Sequence, residues 1–399
     1  MPRTRRRCAG TRRGRGRSTV ALVCAGGGIT GAVYEIGCLR ALEDLLDRSA
    51  ADADLYVGVS GGAFVTSLLA SGISPREMYD AVVAPQRGGF VDPTATLFRL
   101  GLAEVWRRSL RAPRIVGDAL LSSLDGRGRS FADVAWSLFE LLPSGLLDNS
   151  GVEEYLSRLF AARGKPNDFA ALPRPLHVIA VDLDSGEAVD FGAEDAPPAT
   201  ISRAVQASTA MPGLYRPVRI GGRDYVDGAV KKTAHINLAI KSGADLVLCI
   251  NPIVPIDNRA GALSRNLSSK GVSYVLDQVL RIALHGRMQY GLERYRAEHP
   301  EVDILLLEPT RDDLRMFSYN IMRYDARRIV AAHAYRSTVQ AFTRREGEYR
   351  RLLRRHGIGL RDPRALPALP EVSPYRSSVS RALSGTLDVL SSALRRKAG

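Results

Sequence analysis

No apolar run in the 399 residues is long enough to cross a bilayer, since a spanning helix needs about 20 consecutive apolar residues. Cysteine is scarce and scattered, at Cys8, Cys24, Cys38 and Cys249. No CxxC pair occurs, so neither a disulfide framework nor a zinc site of paired cysteines is indicated, which fits a reducing compartment. Acidic residues are also in deficit. Against 56 Lys and Arg stand 42 Asp and Glu, a net charge of +14. With 45% apolar and 25% charged residues the chain is that of a globular protein able to bury a full core. That size admits one large domain with tails, or two domains.

The positive excess is uneven. Arg3, Arg5, Arg6, Arg7, Arg12, Arg13, Arg15 and Arg17 precede the first apolar run. Residues 1–18 are too charged and Gly-rich to fold alone and are predicted to form a disordered basic arm. Such an arm suits anionic lipid headgroups or nucleic acid. The following run, Val20 to Ala25, mimics a short signal peptide but passes straight into glycines. Val23 before Cys24 does not suit a lipoprotein cleavage site, and the run is read as a strand.

The stretch that organises the chain is Tyr56-Val57-Gly58-Val59-Ser60-Gly61-Gly62-Ala63-Phe64. An apolar strand from Leu55 to Val59 is broken by Gly61-Gly62, and an apolar helix starts at Ala63. Gly58-x-Ser60-x-Gly62 therefore lies on a strand-to-helix turn, the setting of a nucleophile elbow. A serine there is held in a strained conformation, and the flanking glycines let neighbouring chain approach. The helix N-terminus behind it favours developing negative charge. A plain Ser/Gly turn is the competing reading.

A second strand–loop–helix lies upstream. Thr19 to Ala25 is a strand, Gly26, Gly27, Gly28 and Gly31 form a glycine loop, and a helix is predicted from Ala32 to Leu46. Gly26, Gly28 and Gly31 fit the dinucleotide fingerprint, but the acidic residue expected about twenty positions on is not clean. The loop's other use is to present backbone N–H groups to an oxyanion. The residues alone thus leave open an acyl-transfer enzyme, a nucleotide-binding protein using Gly26 to Gly31, and a non-catalytic lipid- or nucleic-acid-binding protein using the arginine arm.

Taken with a downstream Tyr225-Val226-Asp227-Gly228-Ala229 and the approach run Ala207-Ser208-Thr209-Ala210-Met211-Pro212-Gly213-Leu214-Tyr215-Arg216-Pro217-Val218, these motifs resemble the patatin-like phospholipase family in type and order. The resemblance covers roughly residues 19–340. Thr30 departs from it, standing where many members carry an arginine. The resemblance implies an α/β fold with three α/β/α layers and a mostly parallel central sheet. It also implies a serine lipid acyl hydrolase, a phospholipase A or lipase-type esterase. Ser60 is then the nucleophile, Asp227 its base in a two-residue catalytic device, and Gly26, Gly27 and Gly28 the oxyanion hole. Gly31, Gly58, Gly62, Gly228 and Ala229 complete the motifs. The implied substrate is a lipid or phospholipid and the implied location cytoplasmic, peripheral to a membrane; nucleic acid is not an expected partner. No cofactor or metal is implied, and calcium dependence is not indicated.

The rest of the chain is read from its patterning. Residues 72–170 form a mostly helical insertion holding Trp106 and Trp136, with helical spacing through Ser130 to Leu142 and Val152 to Phe160. Leu176 to Asp182 is a strand with a hairpin partner at Gly186 to Phe191, and Ile201 to Gln206 a short helix. Val218 to Ile220 and Asp224 to Val226 flank Gly221-Gly222 as a second hairpin, which puts Asp227 at a strand end. Ala244 to Asn251 and Val302 to Leu307 are strands; Val272 to Tyr295 and Tyr324 to Phe342 are helices. The main domain is expected over 19–342. Residues 343–399 read as a basic, proline-punctuated tail whose Val379, Leu383, Leu387, Leu390 and Leu394 share one helical face. That amphipathic helix is expected to dock on its own domain or lie on a membrane surface. The six histidines, His177, His235, His285, His299, His333 and His356, sit in no hydrolase motif and are read as structural or surface residues.

Overall fold

In a computed structural model of the protein, residues 17–84, 99–100, 144–259, 266–311, 313 and 327–366 are described. The first half of these runs through β1 (Val20–Cys24), α1 (Gly28–Leu45), β2 (Leu55–Val59), α2 (Gly61–Ala70), α3 (Pro75–Val83), β3 (Arg99–Leu100), β4 (Gly145–Asp148), α4 (Ser150–Ala162), β5 (Leu176–Asp182) and β6 (Ala188–Asp190). The second half adds α5 (Ile201–Ser208), β7 (Gly213–Tyr215), β8 (Val218–Ile220), β9 (Arg223–Asp227), α6 (Ile236–Lys241), β10 (Leu246–Ile250), α7 (Val272–Glu298), β11 (Asp303–Leu307), α8 (Arg327–Arg344) and α9 (Glu346–Arg355).

The main sheet has the order β11-β10-β1-β2-β5-β9-β8, with β6 paired to β5. From β11 to β5 every pairing is parallel. β6, β8 and β9 pair antiparallel. β1, β2 and β10 are buried along their whole length, which is why they read as unbroken apolar runs rather than alternating ones. Their side chains still alternate between two faces. Leu22, Cys24, Tyr56, Leu246 and Leu248 pack with α1, α2, α5 and α8. Ala21, Val23, Val57, Val59, Val247 and Cys249 pack with α6 and with Met288 and Leu292 of α7. Three layers result, α/β/α, with a mostly parallel centre. The chain leaves β1 toward β2 on one side and later returns to β10 on the other. The crevice beyond the carboxyl ends of these strands is where such sheets place ligands.

Three boundaries differ from the sequence reading. α1 begins at Gly28, not Ala32, so the end of the glycine loop is also the first turn of a helix. In the region expected to be a helical insertion, α3 and α4 are helices, but β3 and β4 lie there as well and join β7 from further along the chain in a separate three-stranded sheet. Its pairing of β4 with β7 joins positions far apart in sequence, which local patterning does not register. Ser130 to Leu142, Trp106 and Trp136 lie outside the described residues. The folded body also continues past residue 342. Tyr349 and Leu353 of α9 are buried, Leu360 bridges Leu46, and Arg361 N–H donates to the Leu45 carbonyl at 2.8 Å. α9 reads as tail because its outward positions are nearly all charged. Residues 1–16 and the stripe from Val379 to Leu394 lie outside the described residues.

Candidate active site

Ser60 occupies the turn between β2 and α2 with φ 54° and ψ −124°. It is the one non-glycine residue of positive φ among the described residues. Such a conformation costs about 1–3 kcal/mol and persists only where its surroundings enforce it. Those surroundings are visible. The Ser60 N–H donates to Ser208 Oγ at 2.8 Å, and Ser208 Oγ donates to the Ile179 carbonyl at 2.6 Å. On the other side, the Ser60 carbonyl accepts the Ala63 and Phe64 N–H groups at 2.9 and 3.3 Å, which starts α2. The turn also needs its glycines. A methyl group at Gly58 would fall on Thr66 Oγ1, and one at Gly62 on the Cys24 carbonyl.

Ser60 is the N-cap of α2, yet its hydroxyl caps no N–H of that helix. Its side chain stands instead beside the carboxyl of Asp227, where it favours that group's ionised form. β9 ends at Asp227, and its pairing with β5 aligns Asp227 with Ala180, one position past the last residue of β5 paired to β2. Asp227 N–H donates to the Ala210 carbonyl at 3.0 Å. Its Oδ1 accepts the Ala229 N–H at 2.9 Å, which turns the chain into a short 3-10 segment. Both Ser60 and Asp227 are 3% exposed. Burial pushes the Asp227 carboxyl up to about 6, while the Ser60 hydroxyl and Ala229 N–H pull the other way by favouring its ionised form.

The glycine loop meets the same point. A methyl group on Gly26 would lie 3.5 Å from Ser60 Cβ and 2.9 Å from Ala229 Cβ, so all three motifs touch there. The expectation of three oxyanion donors is corrected at Gly26, whose N–H donates to the Thr233 carbonyl at 3.0 Å. Gly27 and Gly28 stand at the N-cap and first position of α1, where backbone N–H groups have no acceptor within the helix. Neither donates to a backbone carbonyl among the described residues. Gly31 lies one turn on and donates to the Gly27 carbonyl at 2.9 Å. A dinucleotide-binding loop would want an acidic residue at the end of β2; Ser60 stands there.

Two participants escape a sequence reading of site residues. Ser208 falls on the buried stripe of α5 with Ile201 and Val205, seven positions after Ile201. A hydroxyl on such a stripe must find a partner, and that spacing was the available signal. His235 is buried, and burial pushes its imidazole down to about 4, so it is neutral at working pH. It lies near the Asp227-Gly228-Ala229 turn, whose Gly228 backbone favours its charged form against burial, and nothing in its local sequence marks it. The other histidines pair elsewhere: His177 with Asp190 at 2.7 Å, His333 with Asp313 at 2.6 Å, His356 with Asp303 at 2.8 Å.

A family model described as patatin-like phospholipase matches residues 22–240, over half of the chain. Among solved structures, VipD from Legionella pneumophila matches with 15% identity and a TM-score of 0.36, over 87% of this chain and 68% of that one. The type III effector protein ExoU matches with 15% identity and a TM-score of 0.34, over 81% and 52%. ExoU in its complex with SpcU from Pseudomonas aeruginosa matches with 18% identity and a TM-score of 0.24, over 70% and 51%. The chain thus spans about half the length of the ExoU chains it matches.

Proposed function

The chain belongs to the patatin-like phospholipase family, and on that premise we propose that it hydrolyses fatty-acyl esters of membrane lipids through Ser60 and Asp227. The observation that carries the reading is the meeting of three motifs at one buried point: Ser60 and Asp227 are both 3% exposed, and a methyl group on Gly26 would lie 3.5 Å from Ser60 Cβ and 2.9 Å from Ala229 Cβ, two residues past Asp227. A serine hydroxyl attacks poorly until a base takes its proton. In water a carboxylate is a weak base for that purpose. Desolvation raises its proton affinity toward neutrality, where it is still ionised at pH 7 to 8 and takes a proton more readily.

In the first half-reaction, Ser60 Oγ bonds to the ester carbonyl carbon as its proton passes to Asp227. The negative charge formed on the carbonyl oxygen falls to the N–H groups of Gly27 and Gly28, reinforced by the N-terminus of α1. Collapse breaks the carbon–oxygen bond to the leaving alcohol, which takes the proton from Asp227. In the second, Asp227 deprotonates a water that attacks the acyl-Ser60 ester, and fatty acid leaves as Ser60 recovers its proton. Holding Ser60 strained in advance reserves its hydroxyl for Asp227 instead of for capping α2.

Turnover of a soluble short-chain acyl ester, with Ser60→Ala and Asp227→Asn compared against the unaltered protein, tests the proposal. Both variants are expected to lose turnover while keeping the native circular dichroism spectrum. Near-native turnover in either would overturn the assignment.

A further inference from the structure

α7 is 27 residues long, about 40 Å, whereas β10 and β11 have five residues each, about 17 Å. It precedes the parallel strand β11 and so runs opposite to the strands, which sets its first half beyond their carboxyl ends, the end that holds Ser60. The buried residues of the helix begin at Arg281 and continue through Leu284, Met288 and Leu292.

The overhanging half is tied to the catalytic loops. Gln278 exchanges hydrogen bonds with the Ile256 backbone at 3.0 and 2.9 Å, and Ile256 belongs to the stretch after β10 whose Pro252 abuts Gly27 and Gly31. Thr233 links both partners, donating from Oγ1 to the Leu284 carbonyl at 3.1 Å while its own carbonyl accepts the Gly26 N–H. Arg287 donates to the Val230 carbonyl at 2.9 Å, three residues past Asp227.

The outer surface of this half is apolar. Val272 is 74% exposed, Leu276 63% and Val279 56%, with Val275, Leu280 and Ile282 beside them, and further along the same helix Tyr290 is 71% exposed. Val230, on the catalytic turn itself, is exposed as well. Leaving such side chains in water forfeits about 1.5–3 kcal/mol each relative to burial, and contiguous patches of this kind mark interaction surfaces. Between residues 266 and 292 the charged residues are Lys270, Asp277, Arg281 and Arg287, a net +2. Asp277 and Arg281 neutralise each other at 2.8 Å. What remains is a cation toward each end, Lys270 lying 5.3 Å over the Tyr274 ring and Arg287 beside Val230.

We infer that this face of α7, with Val230, seats the protein on an anionic lipid bilayer, which presents the substrate to the adjoining site. An aliphatic stripe bearing tyrosines and flanked by cations, without an unpaired acid, matches the depth profile of a bilayer interface: acyl chains inside, anionic headgroups around them. Its continuity with Val230 and the glycine loop puts the seated surface at the mouth of the site. This inference rests on the acyl-hydrolase reading for its substrate but not for its readout.

The test uses the full chain and its double variant Leu276→Asp, Val279→Asp, with vesicles of phosphatidylcholine and phosphatidylglycerol. Removing two anchoring side chains and adding two anions should lower co-sedimentation and hydrolysis of vesicle lipid by about tenfold or more. Turnover of a water-soluble short-chain ester and the melting midpoint should stay unchanged. Undiminished co-sedimentation overturns the inference. So does a fall in melting midpoint, which would mean that the face packs against the protein's own chain. So does a wild-type dimer that the variant splits without loss of vesicle binding. A wild-type protein inert on the soluble ester would overturn the hydrolase reading instead, and co-sedimentation would still decide the role of the face.

Discussion

Glu35 and Asp227 are both buried carboxyl groups, and they differ in their neighbours. Glu35 lies in the middle of α1, fully buried, and neither of its oxygens has a hydrogen-bond partner among the described residues. The Ala25 N–H is committed to the Ile250 carbonyl at 3.0 Å and offsets only part of the burial, so the Glu35 carboxyl is pushed well above the usual range. Asp227 is as deeply buried, but the Ser60 hydroxyl and the Ala229 N–H hold its charged form, and it rises only to about 6. Burial alone favours the protonated acid. Burial opposed by two donors makes a base that is ionised at neutral pH and still willing to accept a proton. Position follows the same division, since Asp227 ends a strand where backbone N–H groups are free to point at it, while Glu35 sits mid-helix where they are consumed by the helix.

Removing the partner of one carboxyl is the strongest way to break this comparison. Ser60→Ala should lower ester turnover by about a thousandfold or more, measured on a soluble ester to keep interfacial binding out of the result. Asp227→Asn should cost a similar factor, and it should also stabilise the protein. The native carboxyl holds its proton up to about 6 and the unfolded one only to 3.8. Between those values the native state binds the extra proton, so wild-type stability falls as pH rises through that window and stays lower above it. Asn removes the penalty, a gain of up to about 3 kcal/mol at pH 8 that vanishes below pH 4. Melting midpoints at the two pH values measure it; a loss of stability at pH 8 would contradict the assignment.

Ser208→Ala leaves the Ser60 N–H without its acceptor and relaxes the strained turn. We expect kcat to fall about 10- to 100-fold with KM little changed, and stability to fall by about 1–3 kcal/mol, read by steady-state kinetics and denaturant melts. In the wild type, kcat/KM should drop below about pH 6, reaching roughly a tenth of its plateau at pH 5 as Asp227 takes up its proton. Glu35→Gln should do least. That carboxyl lies mid-helix in α1 and has no hydrogen-bond contact with the site among the described residues, and turnover and pH profile should stay within about twofold of wild type. A shifted acid limb in that variant would couple the two carboxyls and void the comparison.

The features readable in advance were those encoded locally. The turn at Gly58-x-Ser60-x-Gly62, the glycine loop and the hairpin ending at Asp227 announce themselves through glycine placement and apolar runs. Their order also located the layered α/β fold. What stayed hidden depends on distant pairing. The β4–β7 ladder joins residues 145–147 to 213–215. Ser208 acts only through Ser60 and Ile179. The third expected oxyanion donor, Gly26, turned out to be tied to Thr233, more than two hundred positions away. α9 buries just Tyr349 and Leu353 among charges, too thin a stripe to read as core.

Labelling by a fluorophosphonate, followed by peptide mass analysis across pH in wild type and in Asp227→Asn, reaches the central claim most directly. A single adduct on Ser60 is predicted, forming at half its maximal rate near pH 6 and lost in the variant. An adduct elsewhere, or labelling of Ser60 at the same rate in Asp227→Asn, would contradict it.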